Sequence, residues 1–444
     1  MGRPSSRTAV DLSSISKILN DSTDGHKKEG IVLSPTSQIE DASCVYSSSW
    51  DSMASGSALQ SFLDHISIDP ITNFLNTSVL ELKHDDCIQD AIRSLYERNV
   101  FGAPIVNSVS SDRGNFIDRD IGFIEFSSMV LWSLEEFDKA SAESKSDSHG
   151  FLLMLELISQ IGQTKVGELA KFFLWEPFFP ASPGDSLLRV LLLFSKHRRL
   201  KVVPVVESSN SCVVSFITQN ALLQLLLQSS GLDWFDQIAD MPISDFGFEK
   251  NRALVCIFAD QTVADALHIL WENHSDAVPV IGRVTKTLIG FVRSSDIYLL
   301  LEDDELYQNR KSFKVGDFIK SYTRRTIQNS DSSINEECST LVPSSTPPLL
   351  LKNNLLPPMD TPTTNLSSDS LKQVMQDMLE SKSECSFLVT ESGQLQSVIT
   401  LRDIMSKFSP PSMDATIDGG GFFQSALEQS GCHVEDGVMV RNKH

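Results

Sequence analysis

Apolar and polar residues follow one pattern that recurs along this chain. In the clearest copy, residues 263–270 place apolar side chains at intervals of three and four, which predicts a helix with one buried face. A short apolar run with a central proline follows at residues 276–281, and a glycine-containing run at 288–293 comes next. Short Val/Ile runs bounded by Pro and Gly are typical of buried strands. The pattern therefore predicts a helix followed by two strands and a further helix.

Three more stretches repeat this plan, which makes the chain a repeat protein. They lie at residues 86–126, 185–218 and 369–403, and the fourth copy lacks the strand proline. Each copy reads as a small βαββα unit that cannot bury its sheet alone. We therefore expect copies one and two to close one module, and copies three and four a second. The predicted fold class is α/β (α+β).

Composition narrows the function classes. The 444 residues include 37 Lys and Arg against 58 Asp and Glu, a net charge of −21, which disfavours binding to a nucleic-acid backbone. The seven cysteines are scattered and never spaced Cys-x-x-Cys, which favours reduced thiols in an intracellular compartment over disulfides or zinc. The apolar runs are too short to span a bilayer, so no membrane span is predicted.

The predicted organisation has six parts and several connecting segments. In chain order they are a disordered tail at 1–57, repeats at 74–137, 165–229, 239–302 and 340–408, and a tail at 409–444. Residues 323–369 are rich in Ser, Thr and Pro, which excludes a continuous helix or a central strand there. We place the first strand of the fourth repeat near residues 348–356, within this segment.

The repeat resembles the cystathionine-β-synthase (CBS) domain, and four copies resemble the γ regulatory subunits of AMP-activated and SNF1-related kinases. The likeness is closest to the plant-type γ subunit and covers roughly residues 74–408. It rests on residues 117–122 with Phe126 and Trp132, and on the segments 175–178, 230–235 and 399–404.

This resemblance implies two stacked modules that form a pseudo-four-fold disc with ligand clefts between repeats. It also implies a non-catalytic subunit, cytoplasmic and/or nuclear, whose partners are a kinase catalytic α-type subunit and a β-type subunit. No cofactor is required. The alternative is a freestanding module that binds an adenosyl ligand and regulates another enzyme. Nothing supports an enzyme, since the sequence has no phosphate-binding Gly loop and no metal-ligand spacing.

In the family, an Asp at the start of the last helix binds ribose hydroxyls, and a Ser or Thr three residues earlier assists. These positions fall at Asp296 and Asp403 in the last two copies, but at Ser128 and Ala221 in the first two. The Ser/Thr position is Thr218 in the second copy and Thr400 in the fourth. The first and third copies have Glu125 and Arg293 there. The competing interpretation makes these Asp and Thr residues ordinary helix-cap or strand residues.

Basic residues near the Pro-Val strand reach the phosphates in the family. Here only Lys201, in the second copy, is cationic. The matching positions hold Phe101 in the first copy, Ser275 or Asp276 in the third, and Glu384 and Cys385 in the fourth. Glu125 and Glu384 would repel phosphate. The sequence therefore predicts that AMP or adenosine binds weakly if at all, and that ATP binds no better.

Four aromatic residues lie between the repeat cores, at Trp175, Phe178, Trp234 and Phe235. Exposed apolar patches often mark protein interfaces. We expect some of these four side chains to stay exposed as part of a partner-binding surface, and at least half of them to pack in the core.

Overall fold

The computed structural model describes residues 31–33, 63–66, 68, 79–106, 120–140, 149–172, 179–197, 200–207, 212–248, 254–331, 350–352, 356–409, 432–435 and 438–441. The predicted tails at 1–57 and 409–444 lie outside this set, apart from residues 31–33 and two short strands at 432–435 and 438–441. Trp175 and Phe178 also lie outside the described residues.

The strands are β1 (Ile31–Leu33), β2 (Leu82–Lys83), β3 (Gly102–Val106), β4 (Asp120–Glu125), β5 (Val202–Glu207), β6 (Cys212–Thr218), β7 (Leu254–Phe258), β8 (Ala277–Ile281), β9 (Leu288–Arg293), β10 (Thr364–Asn365), β11 (Cys385–Val389), β12 (Leu395–Thr400), β13 (Cys432–Glu435) and β14 (Val438–Arg441). The helices are α1 (Ile88–Glu97), α2 (Phe126–Ala140), α3 (Phe151–Leu157), α4 (Ser159–Gly162), α5 (Val166–Phe172), α6 (Leu187–Lys196), α7 (Gln219–Gln228), α8 (Asp233–Ala239), α9 (Ile243–Phe246), α10 (Val263–Asn273), α11 (Leu299–Glu302), α12 (Asp304–Asn309), α13 (Val315–Asp331), α14 (Leu371–Glu380) and α15 (Leu401–Phe408). A 3-10 helix at Ser294–Tyr298 leads into α11.

Helix α10 shows why the repeat pattern folds as predicted. Its N-cap residue Thr262 accepts a hydrogen bond from the backbone N–H of Asp265, and the Asp265 carboxylate accepts one from the backbone N–H of Thr262. This reciprocal capping satisfies two donors that a helix start otherwise leaves open. The face predicted to be apolar, from Val263 to Leu270, is buried. The helix ends at His274, which adopts a left-handed conformation with φ 48°.

Each repeat carries an antiparallel hairpin: β3–β4, β5–β6, β8–β9 and β11–β12. A short parallel strand joins three of these hairpins, as β2 on β3, β7 on β8 and β10 on β11. In the second repeat, Ala181 forms a parallel bridge to Val205. Strand β1, inside the predicted tail, pairs antiparallel with β7 at the outer edge of the third sheet.

The first strand of the fourth repeat does not lie at residues 348–356, where the sequence placed it. It is β10, at Thr364–Asn365. Leu350 instead bridges to Val100 of the first repeat, and Leu351 is buried in the core with residues of repeats one and three. Proline cannot donate to a strand ladder, so pairing starts only after Pro362, the last proline of the segment.

The segment that precedes each repeat packs on the neighbouring repeat of its pair. The first helical residue of each repeat donates its backbone N–H to such a segment. These bonds run from Ile88 to Thr164 O (2.9 Å), Leu187 to Ile66 O (2.9 Å), Val263 to Phe313 O (2.9 Å) and Leu371 to Met241 O (3.0 Å). The segment before repeat two thus binds repeat one, and the segment before repeat one binds repeat two. Repeats three and four exchange segments in the same way.

The repeats are joined by sheet-to-sheet contacts and by cores that helices of two repeats share. The sheets of repeats one and two meet at Phe123 and Phe216, with ring centroids 5.8 Å apart. The sheets of repeats three and four meet at Phe291 and Phe387, with ring centroids 5.3 Å apart. Helices of repeats one and three share one core, and helices of repeats two and four share another.

These contacts close a ring in the order one, two, four, three. The α+β fold class and the pairing of one with two and three with four are confirmed. Within the part of the chain that the structure describes, no helix combines the length and apolarity needed to cross a bilayer.

Candidate functional site

The same end of each hairpin supplies two positions to a common region. The residue just before the first hairpin strand is Phe101, Lys201, Asp276 or Glu384. The residue that ends the second strand is Glu125, Thr218, Arg293 or Thr400. The register pairs Gly102 with Glu125, Val202 with Thr218, Ala277 with Arg293 and Cys385 with Thr400, so both positions lie side by side.

Lys201 joins three repeats at this region. Its ammonium Nζ lies 2.7 Å from Glu125 Oε2 of repeat one and 2.7 Å from Asp276 Oδ1 of repeat three. It also lies 5.2 Å from the ring centroid of Phe101, within the range of a cation–π contact. Glu125 is buried and accepts a second hydrogen bond, from the Ser127 hydroxyl at 3.3 Å. We call Lys201, Glu125, Asp276 and Glu384 the central cluster.

The pKa values in the central cluster are set by one ammonium group that lies among three carboxylates. Burial would lower the pKa of Lys201, but Asp276, Glu125 and Glu384 outweigh it and hold that pKa well above its usual value. Burial raises the pKa of Glu125, and Asp276 adds to the increase against the lowering effect of Lys201. Lys201 therefore stays protonated and already has carboxylate partners within the chain.

Glu384 completes the cluster from repeat four. Burial among protein atoms raises its pKa, and the carboxylates of Asp276 and Glu125 raise it further, while Lys201 and Arg293 lower it. Its side chain is nevertheless exposed to solvent. Because water reaches this carboxylate, solvent screens part of these interactions. The region is acidic where a phosphate-binding site would need positive charge.

The helix start of repeat three is occupied by an ion pair. The Arg293 guanidinium binds both oxygens of Asp296, with Nη2 to Oδ1 at 2.8 Å and Nε to Oδ2 at 2.9 Å. The backbone N–H of Arg293 also donates to Asp296 Oδ2, and Arg293 Nη1 donates to Pro357 O at 2.9 Å. Both side chains are largely buried. The carboxylate proposed for a ribose therefore already holds a bidentate partner.

At the helix start of repeat four, a threonine takes the place of the arginine. The Thr400 hydroxyl donates to Asp403 Oδ2 at 2.7 Å, and the Thr400 backbone N–H donates to the same oxygen at 3.0 Å. In return, the Asp403 N–H donates to Thr400 Oγ1 at 3.3 Å. This is a capping box that starts helix α15. Asp403 is only partly buried, so the pair remains closer to solvent than Asp296.

The first two repeats lack the helix-start carboxylate. Thr218 caps helix α7 by accepting from the Ala221 N–H at 3.1 Å, and the side chain of Ala221 has no group for a hydroxyl. Repeat one ends its strand with Glu125, which is bound to Lys201. All five residues singled out from the sequence (Asp296, Asp403, Thr400, Thr218 and Lys201) thus have contacts within the chain. Their nucleotide-binding role stays a prediction.

Two features of the site escaped the sequence. The first is the ion pair between Arg293 and Asp296. The sequence contained a signal for it, because residues three apart at a helix start are neighbours. The second is the contact of Lys201 with Glu125 and Asp276, which joins three repeats. The sequence signal for it is that Lys201 and Asp276, with opposite charges, occupy the same position in repeats two and three.

Trp234 and Phe235 are two of the four aromatic residues that lie between the repeat cores, and they belong to the half expected to pack in the core. Both are buried, Trp234 at 7% exposure and Phe235 at 0%. Phe235 stacks on Phe408 of repeat four, with centroids 5.4 Å apart. Buried aromatic side chains contribute much of the packing energy of a core, and here Phe235 joins repeats two and four.

Comparison with known proteins adds three findings. The family model of the CBS domain matches residues 243–303. The chain is 23% identical over 424 residues to the SNF1-related protein kinase regulatory subunit gamma-1 of Arabidopsis thaliana, covering 88% of this chain and 92% of that protein. It is 23% identical over 399 residues to the regulatory subunit gamma-1-like protein of the same plant, covering 75% of this chain and 83% of that protein.

Among solved structures, Protein MJ1225 from Methanocaldococcus jannaschii matches at 15% identity and a TM-score of 0.48, covering 77% of this chain and 100% of that chain. The sequence matches confirm the resemblance seen in the repeats. The chain carries a CBS domain and is similar over most of its length to plant kinase γ regulatory subunits.

Proposed function

We propose that this chain is a non-catalytic γ-type regulatory subunit of a heterotrimeric SNF1-related, AMP-activated-like serine/threonine kinase. The observation that carries the proposal is similarity to two plant γ subunits over 75–88% of the chain. The four-repeat ring supports it, because interlocked repeats make a rigid body on which partner chains can assemble. The partners would be a catalytic α-type subunit and a β-type subunit.

We further infer that nucleotide sensing by this subunit is weak or absent. A phosphate entering the central cluster would meet three carboxylates and one ammonium that is already paired. Hydrogen bonds between charged groups contribute about 1.5–3 kcal/mol each, so displacing Lys201 from Glu125 and Asp276 opposes binding. The subunit would therefore act by scaffolding and by holding one arrangement of the complex.

Affinity purification of the tagged full chain from its native tissue tests the proposal. We expect a kinase catalytic chain and a β-type chain to co-purify in near-equal amounts, and the tag alone to recover neither. Recovery of neither chain, together with a rise in melting temperature on adding adenosine or S-adenosyl compounds, would favour a freestanding ligand-binding module instead.

A further inference from the structure

Residues 350–352 lie against repeats one and three, although they belong to the segment that leads into repeat four. Leu350 forms an antiparallel bridge to Val100, two residues before strand β3 of repeat one. Leu351 is 2% exposed and packs in the core that helices of repeats one and three share. The segment therefore binds two repeats other than the one that it precedes.

Asn99 of repeat one holds the backbone of this segment. Its carbonyl oxygen accepts from the Leu351 N–H at 3.1 Å, and its side-chain Oδ1 accepts from the Lys352 N–H at 2.6 Å. Its side-chain Nδ2 donates to Lys352 O at 3.4 Å. Asn99 adopts a left-handed backbone conformation, with φ 55°. When a protein binds an extended peptide, main-chain hydrogen bonds of this kind give affinity, and pockets for the side chains give specificity.

The Lys352 side chain lies between two aromatic rings and a carboxylate. Its Nζ lies 3.8 Å from the ring centroid of Tyr96 in repeat one and 5.8 Å from that of Tyr298 in repeat three. It also lies 2.8 Å from Glu302 Oε1, and the Tyr96 hydroxyl donates to the same oxygen at 3.4 Å. Aromatic faces attract an ammonium group through the ring quadrupole. The position is therefore built for a cation.

We propose that Tyr96, Asn99, Val100, Tyr298 and Glu302 form a peptide-binding site, the one–three cradle, and that residues 350–352 are its tethered occupant. The cradle takes an extended segment in which a lysine follows an apolar residue. The apolar side chain enters the core between the two repeats, and the lysine meets the rings and the carboxylate. An acidic residue in place of the lysine would be repelled by Glu302.

Tethering keeps the cradle occupied by the chain itself. Residues just after the occupant are bound to repeat three, where Pro357 O accepts from Arg293 Nη1 at 2.9 Å and Met359 O accepts from the Phe291 N–H at 3.0 Å. A segment that is joined to its site over a short distance acts at an effective concentration of about millimolar order. A separate peptide therefore competes poorly unless the tethered side chains are removed.

Binding of a peptide in trans tests the cradle. The probe is a fluorescein-labelled peptide with the sequence of residues 348–354, Pro-Leu-Leu-Leu-Lys-Asn-Asn, and the readout is fluorescence anisotropy. We expect the full chain carrying Leu351→Ala and Lys352→Ala to bind it at least about tenfold more tightly than the unsubstituted chain does. The Lys352→Glu peptide should not bind. Binding of the probe to neither chain, or equally to both, would overturn the proposal.

Hydrogen exchange tests the occupant in a chain that keeps Leu351 in its core. In Lys352→Met, we expect the Leu351 and Lys352-position amides to exchange about 3- to 30-fold faster, because the cation–π and ion-pair contacts are lost. Amides of β3 and β8 should be unchanged. The matched control is Lys320→Met, at an exposed lysine of helix α13. Unchanged exchange at residues 351 and 352, or equal acceleration in β3 and β8, would contradict a separately held occupant.

Discussion

Repeats three and four start their last helices with the same residue in the same place, yet the two sites differ. In both, an Asp at the third helical position accepts from the backbone N–H of the residue three before it, Arg293 or Thr400. The third repeat adds a guanidinium that binds both oxygens of Asp296. The fourth adds the Thr400 hydroxyl to Asp403. One residue, Arg293 or Thr400, therefore decides whether a guanidinium or a hydroxyl binds the carboxylate.

The helices that follow the two sites also differ. The third repeat continues as a 3-10 helix, Ser294–Tyr298, before the short helix α11, whereas the fourth continues directly as α15. A ligand that needs the carboxylate would have to displace Arg293 in one site and only compete with a cap in the other. Equal sequence motifs thus do not mean equal sites.

Removal of each carboxylate should give the largest contrast between the two sites. Asp296→Ala leaves the largely buried Arg293 without its anion, and breaking such a pair costs about 3–5 kcal/mol. Asp403→Ala removes a helix cap, which costs about 0.5–2 kcal/mol. Urea unfolding of both variants measures the two costs. Equal losses would show that the Arg293 pair contributes no more than a cap.

Converting one site into the other should give an intermediate effect. Arg293→Thr recreates the pattern of the fourth repeat and keeps the backbone bond to Asp296, so we expect a loss of about 1–3 kcal/mol. The matched control is Arg283→Thr, which breaks an exposed pair with Asp260. Exposed pairs contribute about 0–1 kcal/mol. A loss no greater than the control's would mean that the buried fork does not stabilise the third repeat.

The smallest effect is expected at the fourth repeat. Thr400→Val removes the hydroxyl that both accepts from the Asp403 N–H and donates to its carboxylate, at a cost of about 1 kcal/mol. Thr361→Val serves as the control, because the exposed Thr361 hydroxyl donates only to the nearby Pro358 O. Thermal unfolding should show a lower midpoint for Thr400→Val alone. Identical midpoints would remove Thr400 from the account of this helix start.

Much of the fold could be predicted because the helices and strands of each repeat are specified by short stretches of sequence. Helix periodicity and short apolar strands recur in each copy, a strand proline recurs in three of the four, and four copies indicate how they must bury one another. The first strand of repeat four was misplaced, since Leu350 and Leu351 look strand-like but pack on other repeats. The exchange of preceding segments, such as Thr164 accepting from Ile88, depends on long-range pairing that no local pattern encodes.

The candidate site was harder to predict for the same reason. The sequence identified Lys201 as a cation beside the hairpin strand, and the structure places it there, while its role toward a phosphate stays a prediction. What it could not give is that Glu125 and Asp276, 76 and 75 residues away along the chain, converge on that ammonium. Which of the four aromatic residues are core could not be predicted for a related reason, because Trp234 and Phe235 become buried only once repeats two and four meet.

The central claim is that this ring has lost the positive charge needed to hold nucleotide phosphates, so that it scaffolds without sensing nucleotides. Isothermal titration calorimetry of the purified full chain with AMP, ADP and ATP tests it most directly. We expect no measurable heat with ATP and at most weak binding of AMP, unchanged in Lys201→Met. Micromolar affinity for ATP that is abolished by Asp403→Ala would contradict the account.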